Sequence, residues 1–369
     1  MLTKFAVTNY KGFAERIELN ISSPKNYEFN SYVIKNGVIK NGIIYGPNGS
    51  GKTNIGLAIF DIEYHLAPLK AKKRDYYNNF VYAGAPEKPI IFEYEFQFEN
   101  KLLRYVYTKD KNGALQNEKL CWDGNWVFTN MEGTLKINEA FFRREYANQE
   151  RLNSNANNIS VINFLLAYYP LSEKHFLLML YEFVNNMLWY RGVDIREFIG
   201  IETQENGNIE EFFINNNLVE EFSEFLQDVS GQKFHFVTPK KNDKTLWYKV
   251  GNGLLPFIET VSTGTKSLEL LFFWMKRMGN STFVFIDEFD AFYHFRLSYS
   301  VCKYLFKLPC QLFLSSHNTF LMSNELLRPD CNFIINNNHI KCLSDCTEKD
   351  LRFGHNIERI YRAGAFYEE

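Results

Sequence analysis

Hydrophobic and polar side chains alternate along residues 89–129 of the chain. In the first run, aromatic and aliphatic residues take every second position and mostly acidic residues or glutamine take the positions between. A period of two is typical of a strand with one buried face. Turns are predicted at 99–101 and at Asp123-Gly124, since Asp-Gly between apolar runs favours a tight hairpin. The segment therefore predicts an antiparallel meander whose buried face carries Ile90, Phe92, Tyr94, Phe96 and Phe98.

The middle of the chain contains apolar segments that predict helices. Residues 161–169 and 176–189 are apolar enough to predict buried helices, and apolar residues of 218–229 recur at helical spacing opposite three glutamates. No heptad pattern continues for many turns, which argues against a long coiled-coil arm. Nearer the start, residues 5–7 and 17–21 predict two short strands.

A strand, a glycine-rich loop and a helix are predicted in succession around residues 46–53. The apolar run Ile43-Ile44-Tyr45 precedes the loop GPNGSGKT, and residues 54–60 favour a helix. The loop matches G-x-x-x-x-G-K-[ST], whose backbone N–H groups surround phosphates, whose lysine reaches the β- and γ-phosphates and whose last hydroxyl suits Mg²⁺. We predict a nucleoside triphosphate site, with Thr53 as a metal ligand. Its residues are Gly46, Asn48, Gly49, Ser50, Gly51, Lys52, Thr53 and Asn54.

Two further apolar strands end in polar residues. Residues 282–286 predict a buried strand followed by Asp287-Glu288, and residues 312–314 precede Ser315-Ser316-His317. Carboxyl ends of parallel strands share one edge of a sheet, so these side chains are expected near the phosphate loop. We predict that Asp287 is a ligand of Mg²⁺, that Glu288 is the catalytic base and that His317 has a catalytic role. Ahead of the first of these strands, residues 261–267 begin another predicted helix.

Composition limits the remaining possibilities. The chain has 369 residues, a net charge of -2 and 46% hydrophobic residues. This composition predicts a folded protein that lacks the overall positive charge that attracts nucleic acid. Nucleic-acid contact remains possible at one local basic run, residues 70–74. The apolar stretch 159–171 is too short to cross a bilayer. With no secretion signal and no C-x-x-C pair, we expect a cytoplasmic protein without a membrane partner.

A zinc site is an alternative use of the cysteines near the end of the chain. Cys331, His339, Cys342 and Cys346 lie within sixteen residues. Their spacing fits no standard zinc finger, and cysteines at strand edges are common in cores. The sequence therefore favours a structural role for them.

Taken together, the motifs resemble those of a known family. GPNGSGKT, VSTGTKS, FVFIDEFD and FLSSHN look like the Walker A, signature, Walker B and switch-histidine motifs of an ABC ATPase, and residues 9–13 resemble the opening of such heads. Residues 290–294 and the ending 350–366 are similar to those of stand-alone ABC ATPases (AAA family) in bacterial anti-phage and abortive-infection systems. These include the PARIS ATPase AriA, the Septu and retron-associated ATPases and the ATPase half of the OLD nucleases.

The resemblance implies an α/β fold, an ABC ATPase head with a RecA-like P-loop core, an antiparallel β subdomain and a helical insertion. We expect 1–369 to be one discontinuous head, with a core of 1–88 and 254–369, a β subdomain of 89–130 and a mainly helical insertion of 148–253. It also implies a head-to-tail homo-oligomer, a dimer or a larger ring, in which Ser262, Gly264 and Thr265 close the ATP of a neighbouring copy. The signature departs from L-S-G-G-Q, which leaves slow or partner-dependent hydrolysis open. Gln149 is a weak candidate for the lid-loop glutamine.

Three functions follow as hypotheses. The first is an ATPase that acts as sensor and scaffold of an anti-phage system, responding to a phage-encoded trigger and controlling a separate effector from a neighbouring gene, perhaps a nuclease. The second is a DNA repair or recombination ATPase that clamps DNA. The third is an autonomous nuclease, for which the sequence offers no paired acidic cluster in the insertion.

Overall fold

The structure is a computed structural model that describes residues 1–22, 24–67, 79–142, 159–192, 198–200, 208–237, 243–336 and 339–366. It contains two seven-stranded sheets and two strand pairs among these residues. The chain has an α/β fold: a P-loop core built on a parallel sheet, with an antiparallel sheet and further helices around it. This is the architecture that the sequence predicts for an ABC ATPase head.

The first large sheet is parallel at its centre. Its inner strands are near-continuous apolar runs that are buried on both faces, as parallel strands usually are. The two outer strands, Phe198–Gly200 and His339–Cys342, are antiparallel to their neighbours. In spatial order, the strands are Phe198–Gly200, Leu188–Arg191, Phe283–Asp287, Gln311–Ser316, Asn41–Tyr45, Asn332–Asn336 and His339–Cys342.

The second large sheet contains the predicted meander. Alternate residues of Ile90–Phe98 are buried as the period of two predicts. Glu99 and Asn100 in the first turn of the meander, and Asp123 and Gly124 in the turn before Asn125–Met131, have positive φ, as two-residue type I′ hairpin turns require. Leu2–Thr8 and Ile17–Asn20 also join this sheet rather than the parallel one. In spatial order, the strands are Thr134–Ile137, Asn125–Met131, Leu115–Trp122, Lys101–Lys109, Ile90–Phe98, Leu2–Thr8 and Ile17–Asn20.

Two strand pairs, the α-helices and several 3₁₀ turns make up the other elements of the described chain. The strand pairs are Ile34–Lys35 with Val38–Ile39, and Trp247–Val250 with Gly253–Pro256. The α-helices are Lys52–Ile59, Asp61–Leu66, Val161–Tyr168, Phe176–Asn185, Ile209–Asn215, Val219–Ser230, Phe257–Thr260, Thr263–Arg277, Phe295–Leu305 and Ile357–Arg362. Single 3₁₀ turns are Ser31–Val33, Met278–Asn280, Thr319–Leu321, Pro329–Cys331 and Leu343–Asp345.

The helix predicted over 176–189 is wrong in its last four residues. It ends at Asn185, and Leu188–Arg191 instead forms a strand beside Phe283–Asp287. A short apolar run fits a buried strand as well as a buried helix, so its pattern alone does not distinguish them. The parallel-centred sheet thus takes two strands, Leu188–Arg191 and Phe198–Gly200, from the segment 148–253. The limits 1–88, 89–130 and 148–253 stay our proposed division, and both large sheets cross them.

The helix after the phosphate loop lies between the two sheets. On one side Phe60 contacts Phe283 of the parallel sheet, with ring centroids 5.9 Å apart. On the other, the Tyr94 hydroxyl of the antiparallel sheet donates to the Ala58 carbonyl at 3.1 Å. A buried ion pair, Lys109 Nζ to Asp61 Oδ2 at 2.7 Å, fixes the next helix to the same sheet. The nucleotide loop is therefore held by packing on both faces.

Candidate nucleotide-binding site

The loop 46–51 joins the buried strand Asn41–Tyr45 to the helix Lys52–Ile59. Gly49 and Gly51 have φ of 77° and 100°, in the left-handed region that glycine tolerates best. The ring of Phe13, which is fully buried, packs so closely on Gly51 that a Cβ there would lie 2.6 Å from it. Phe13 belongs to the segment 9–13. This segment therefore packs against the phosphate loop.

We expect Gly51→Ala to lower the free energy of unfolding by about 2–3 kcal/mol, since it adds both backbone strain and a collision with Phe13. Gly49→Ala is the matched control. It also has positive φ, but a Cβ added there would meet nothing within 4 Å, so we expect a loss of about 1 kcal/mol. Urea denaturation of both variants measures the difference. Equal losses would show that the Phe13 contact contributes nothing.

Lys52 and Ser50 converge on the inside of the loop. Lys52 is 6% exposed, and its Nζ donates to the carbonyls of Gly46 at 2.8 Å and Pro47 at 3.0 Å. Burial lowers the pKa of Lys52. The buried Ser50 hydroxyl has no hydrogen-bond partner among the described residues. A cation and an orphaned hydroxyl at a helix start fit a phosphate group. Asn48 is exposed on the same loop, and Asn54 lies in the first helical turn.

Asp287 is the buried centre of the site. It is 0% exposed, and the Thr53 hydroxyl donates to its Oδ2 at 2.8 Å while the Ser315 hydroxyl donates to its Oδ1 at 2.6 Å. The Thr53 hydroxyl and the Asp287 carboxylate are hard oxygen donors of the kind that Mg²⁺ accepts. The residues present therefore fit the metal ion that the loop motif implies.

Glu288 lies immediately beyond the strand. Its φ of 49° is unusual for a non-glycine residue, and its backbone N–H donates to the Ser315 hydroxyl at 2.8 Å. Such backbone strain costs of order 1–3 kcal/mol and persists where the surroundings enforce it. Its side chain is 37% exposed, so the carboxylate is accessible to water. Ser315 thus orients both neighbouring acids, a role that the sequence did not reveal.

Arg191 is a second residue that the sequence prediction missed. It ends the strand beside Phe283–Asp287, with Nε 3.5 Å from Asp287 Oδ2 and 3.8 Å from Glu288 Oε2. Its guanidinium is positioned to offset the two carboxylates. Its signal in the sequence is an arginine directly after an apolar run, but the pattern of that run also fits the end of a helix.

His317 and Asp290 complete the carboxyl edge of the sheet. His317 Nδ1 is 3.4 Å from Lys52 Nζ, and burial, assisted by the Lys52 charge, lowers the pKa of His317. The Ser316 hydroxyl donates to Asp290 at 2.8 Å. Burial raises the pKa of Asp290 to about 6. The structure therefore places His317 next to the loop lysine, at the sheet edge that the two share.

The signature residues Ser262, Gly264 and Thr265 make their contacts away from the loop 46–53. Ser262 caps the helix Thr263–Arg277, where its Oγ accepts from the Thr265 N–H at 3.3 Å. The Thr265 hydroxyl donates to Gln232 at 3.1 Å, and Gly264 lies in the first helical turn. In the described parts of the chain, no hydrogen bond joins these three residues to the loop 46–53. Within one chain, the signature is thus not part of the loop's hydrogen-bonded site.

The signature helix contains a buried acid. Glu269 is 1% exposed, and burial, assisted by the charge of Glu210, raises its pKa to about 8. The folded state therefore binds this proton more tightly than the unfolded chain, so stability is lost as pH rises from about 4.5 to about 8.

We expect Glu269→Gln to remove this loss and to raise the free energy of unfolding at pH 8 by on the order of 2–3 kcal/mol. The gain should shrink toward pH 4.5. Melting temperatures measured across this range test the prediction, with Glu220→Gln as an exposed control on another helix. A pH-independent effect of Glu269→Gln would contradict it.

Comparison with known proteins identifies the family of the chain. The sequence profile of a protein family described as "AAA domain, putative AbiEii toxin, Type IV TA system" matches residues 43–323, well over half of the chain. The chain belongs to this AAA-domain family. It is accordingly an ATPase of the ABC/AAA type. No curated protein matches the chain.

Solved structures similar to this AAA-domain chain include SMC head domains and a recombination mediator protein. The SMC head domain from Thermotoga maritima is 16% identical, with a TM-score of 0.44 over 92% of this chain and 97% of that one. The SMC head bound to the C-terminal winged-helix domain of ScpA is 14% identical, with a TM-score of 0.49 over 93% and 98%. The recombination mediator protein RecF-ATPrS of the RecFOR pathway is 15% identical, with a TM-score of 0.41 over 93% and 98%.

Three further sequence predictions for this AAA-domain chain concern a zinc site, two segments outside the described residues and a membrane span. Among the described residues, which include Cys331, His339, Cys342 and Cys346, no group of three or more His, Cys, Asp or Glu side chains lies close enough together to hold a metal ion. The basic run 70–74 and Gln149 lie outside the described residues. In the described chain, no helix is long and apolar enough to span a membrane.

Proposed function

We propose that this AAA-domain protein binds Mg-ATP at the loop 46–53 and hydrolyses it with Glu288 as the catalytic base. The observation that carries the proposal is the chain of contacts from Thr53 through Asp287 to Ser315, which joins the phosphate loop to the acids at the carboxyl edge. Lys52 would bind the β- and γ-phosphates in place of the carbonyls that it contacts here. Thr53 and Asp287 would hold Mg²⁺, which would supply charge stabilisation on the phosphates.

The catalytic roles follow from position. Glu288 is exposed enough to accept a proton from a water molecule, and its backbone is held by Ser315. His317, beside Lys52, would contact the γ-phosphate or the attacking water. Arg191 would keep the two carboxylates oriented when nucleotide is absent. Gly46, Asn48, Gly49, Ser50, Gly51 and Asn54 would surround the phosphates.

We propose that the complete site forms between two copies. Ser262, Gly264 and Thr265 make their described contacts away from the loop of their own chain. A signature at a helix N-terminus suits a γ-phosphate, and a second chain packed head-to-tail would bring it there. Nucleotide binding would thereby control assembly, as a dimer or as a larger ring.

In the cell, we propose a sensor and scaffold role in abortive infection. The supporting observation is the family description, which names an abortive-infection toxin of a toxin–antitoxin system. The protein would respond to a phage-encoded trigger and release or activate a separate toxic effector, such as a nuclease, from a neighbouring gene. All six cysteines are free thiols, which suits action in the reducing cytoplasm.

A plaque assay tests the cellular role. Bacteria carrying this gene with its neighbour are expected to reduce phage plating, and the Lys52→Ala version of the same cassette is expected to lose that protection. An active cassette that protects equally well with Lys52→Ala would contradict an ATP-dependent defence role. The ATPase itself is tested separately with purified protein.

A further inference from the structure

A cleft of about 460 Å³ opens at the amino-terminal edge of the parallel sheet. It lies where three strands begin, next to Lys40, Thr282 and Gln311, whereas the nucleotide loop and Asp287 lie at the other ends of those strands. Strands of this length separate the two edges by about 17 Å. The cleft is therefore distinct from the nucleotide site, and it is large enough for a small organic molecule.

The lysines that line the cleft outnumber its carboxylates. Lys35 and Lys40 line it, and among the described residues neither forms an ion pair. Burial lowers the pKa of Lys40, and the charge of Lys35 lowers it further. Glu182, which is exposed on the α-helix Phe176–Asn185, is the one carboxylate among the lining residues. Two neighbouring ammonium groups without partners favour an anion between them.

The inner wall adds a polar atom and an apolar surface. Ser281 is 7% exposed, and its hydroxyl has no hydrogen-bond partner among the described residues. Buried hydroxyls normally have partners, so this one indicates a ligand or a bridging water. Phe98, Met179 and Phe183 supply apolar surface on the same cleft.

The floor of the cleft is rigid. The side chain of Gln311 accepts from the Leu2 N–H at 3.0 Å and donates to the carbonyls of Leu2 at 2.9 Å and Ile39 at 3.0 Å. These bonds tie the two large sheets together beneath the cleft. A preformed floor reduces the entropy lost on binding.

We propose that this cleft binds an organic phosphate of about one ring in size. The phosphate lies between Lys35 and Lys40 with Ser281 within reach, and the ring packs against Phe98, Met179 and Phe183. A dianion matches the two ammonium groups better than a neutral molecule does. The proposal is independent of ATP hydrolysis.

Isothermal titration of the full chain with phenyl phosphate, and with benzyl alcohol as its neutral counterpart, tests the proposal. We expect phenyl phosphate to bind in a one-to-one ratio and benzyl alcohol to bind at least about tenfold more weakly. Lys40→Met should weaken phenyl phosphate by about tenfold or more, because one charge-assisted contact is lost. Lys136→Met, at an exposed position on the edge strand of the antiparallel sheet, should leave binding unchanged.

The nucleotide loop also binds phosphates, so Lys52→Ala serves as the second control. We expect Lys52→Ala to retain the phenyl phosphate site. Binding that is lost in Lys52→Ala and retained in Lys40→Met would assign the phosphate to the loop and overturn the proposal. Equal binding of the two probes would also overturn it. If Lys40→Met fails to fold, Lys35→Met at the exposed rim should show the same weakening.

Discussion

Glu288→Gln is expected to bind ATP with wild-type affinity and to hydrolyse it about 100- to 10,000-fold more slowly. The amide cannot accept the proton of the attacking water, while Thr53 and Asp287 keep their 2.8 Å contact at the metal position. Glutamine has the same shape, so the backbone bond to Ser315 is retained. Single-turnover hydrolysis and equilibrium binding of a fluorescent ATP analogue separate the two effects.

The matched control is Glu325→Gln, which removes an exposed carboxylate that accepts from Tyr299. We expect wild-type hydrolysis from it. A wild-type rate from Glu288→Gln would show that Glu288 is not the base. Loss of ATP affinity in that variant would instead show that Glu288 contributes to binding.

Lys52→Ala is expected to weaken ATP binding by about 100-fold or more, because the buried ammonium is the one loop side chain that carries a full positive charge to the phosphates. Fold stability should change little. In the described structure, Lys52 Nζ donates to two loop carbonyls and lies 3.4 Å from His317 Nδ1, and alanine leaves water access to those carbonyls. Nucleotide titration at fixed Mg²⁺ measures the affinity.

Lys88→Ala, at an exposed position before the strand Ile90–Phe98, is the control for a general charge effect. We expect it to bind ATP normally. Retained affinity in Lys52→Ala would place the phosphates somewhere other than the loop 46–53. A lowered melting temperature with retained affinity would assign Lys52 a structural role.

Much of the fold could be predicted because its signals are local. The period of two over 90–98 predicts its strand and buried face, and the glycine loop between an apolar strand and a helix predicts its own position. The strand Leu188–Arg191 could not be predicted, because its apolar residues are short and continuous and fit either element. Its place beside Asp287 depends on long-range pairing that no local pattern contains.

Local signals likewise identify the predicted site residues, whereas the missed ones depend on long-range contacts. Asp287 ends an apolar strand, His317 directly follows one, and Lys52 follows one through the glycine loop. A shared sheet edge therefore predicts that the three residues lie close together. Ser315 and Arg191 act through contacts across strands, and a serine or arginine at a strand end is common in any protein. Phe13 supports Gly51 from a segment more than thirty residues away, which only the folded chain reveals.

The central claim is that ATP at this site controls assembly, and light scattering of Glu288→Gln with and without Mg-ATP tests it most directly. The measurement is made with the protein alone and then with the product of the neighbouring gene. We predict a defined oligomer that forms with Mg-ATP and captures the neighbour. A chain that stays monomeric in Mg-ATP, or that assembles only when DNA is also present, would contradict this account and favour a DNA clamp.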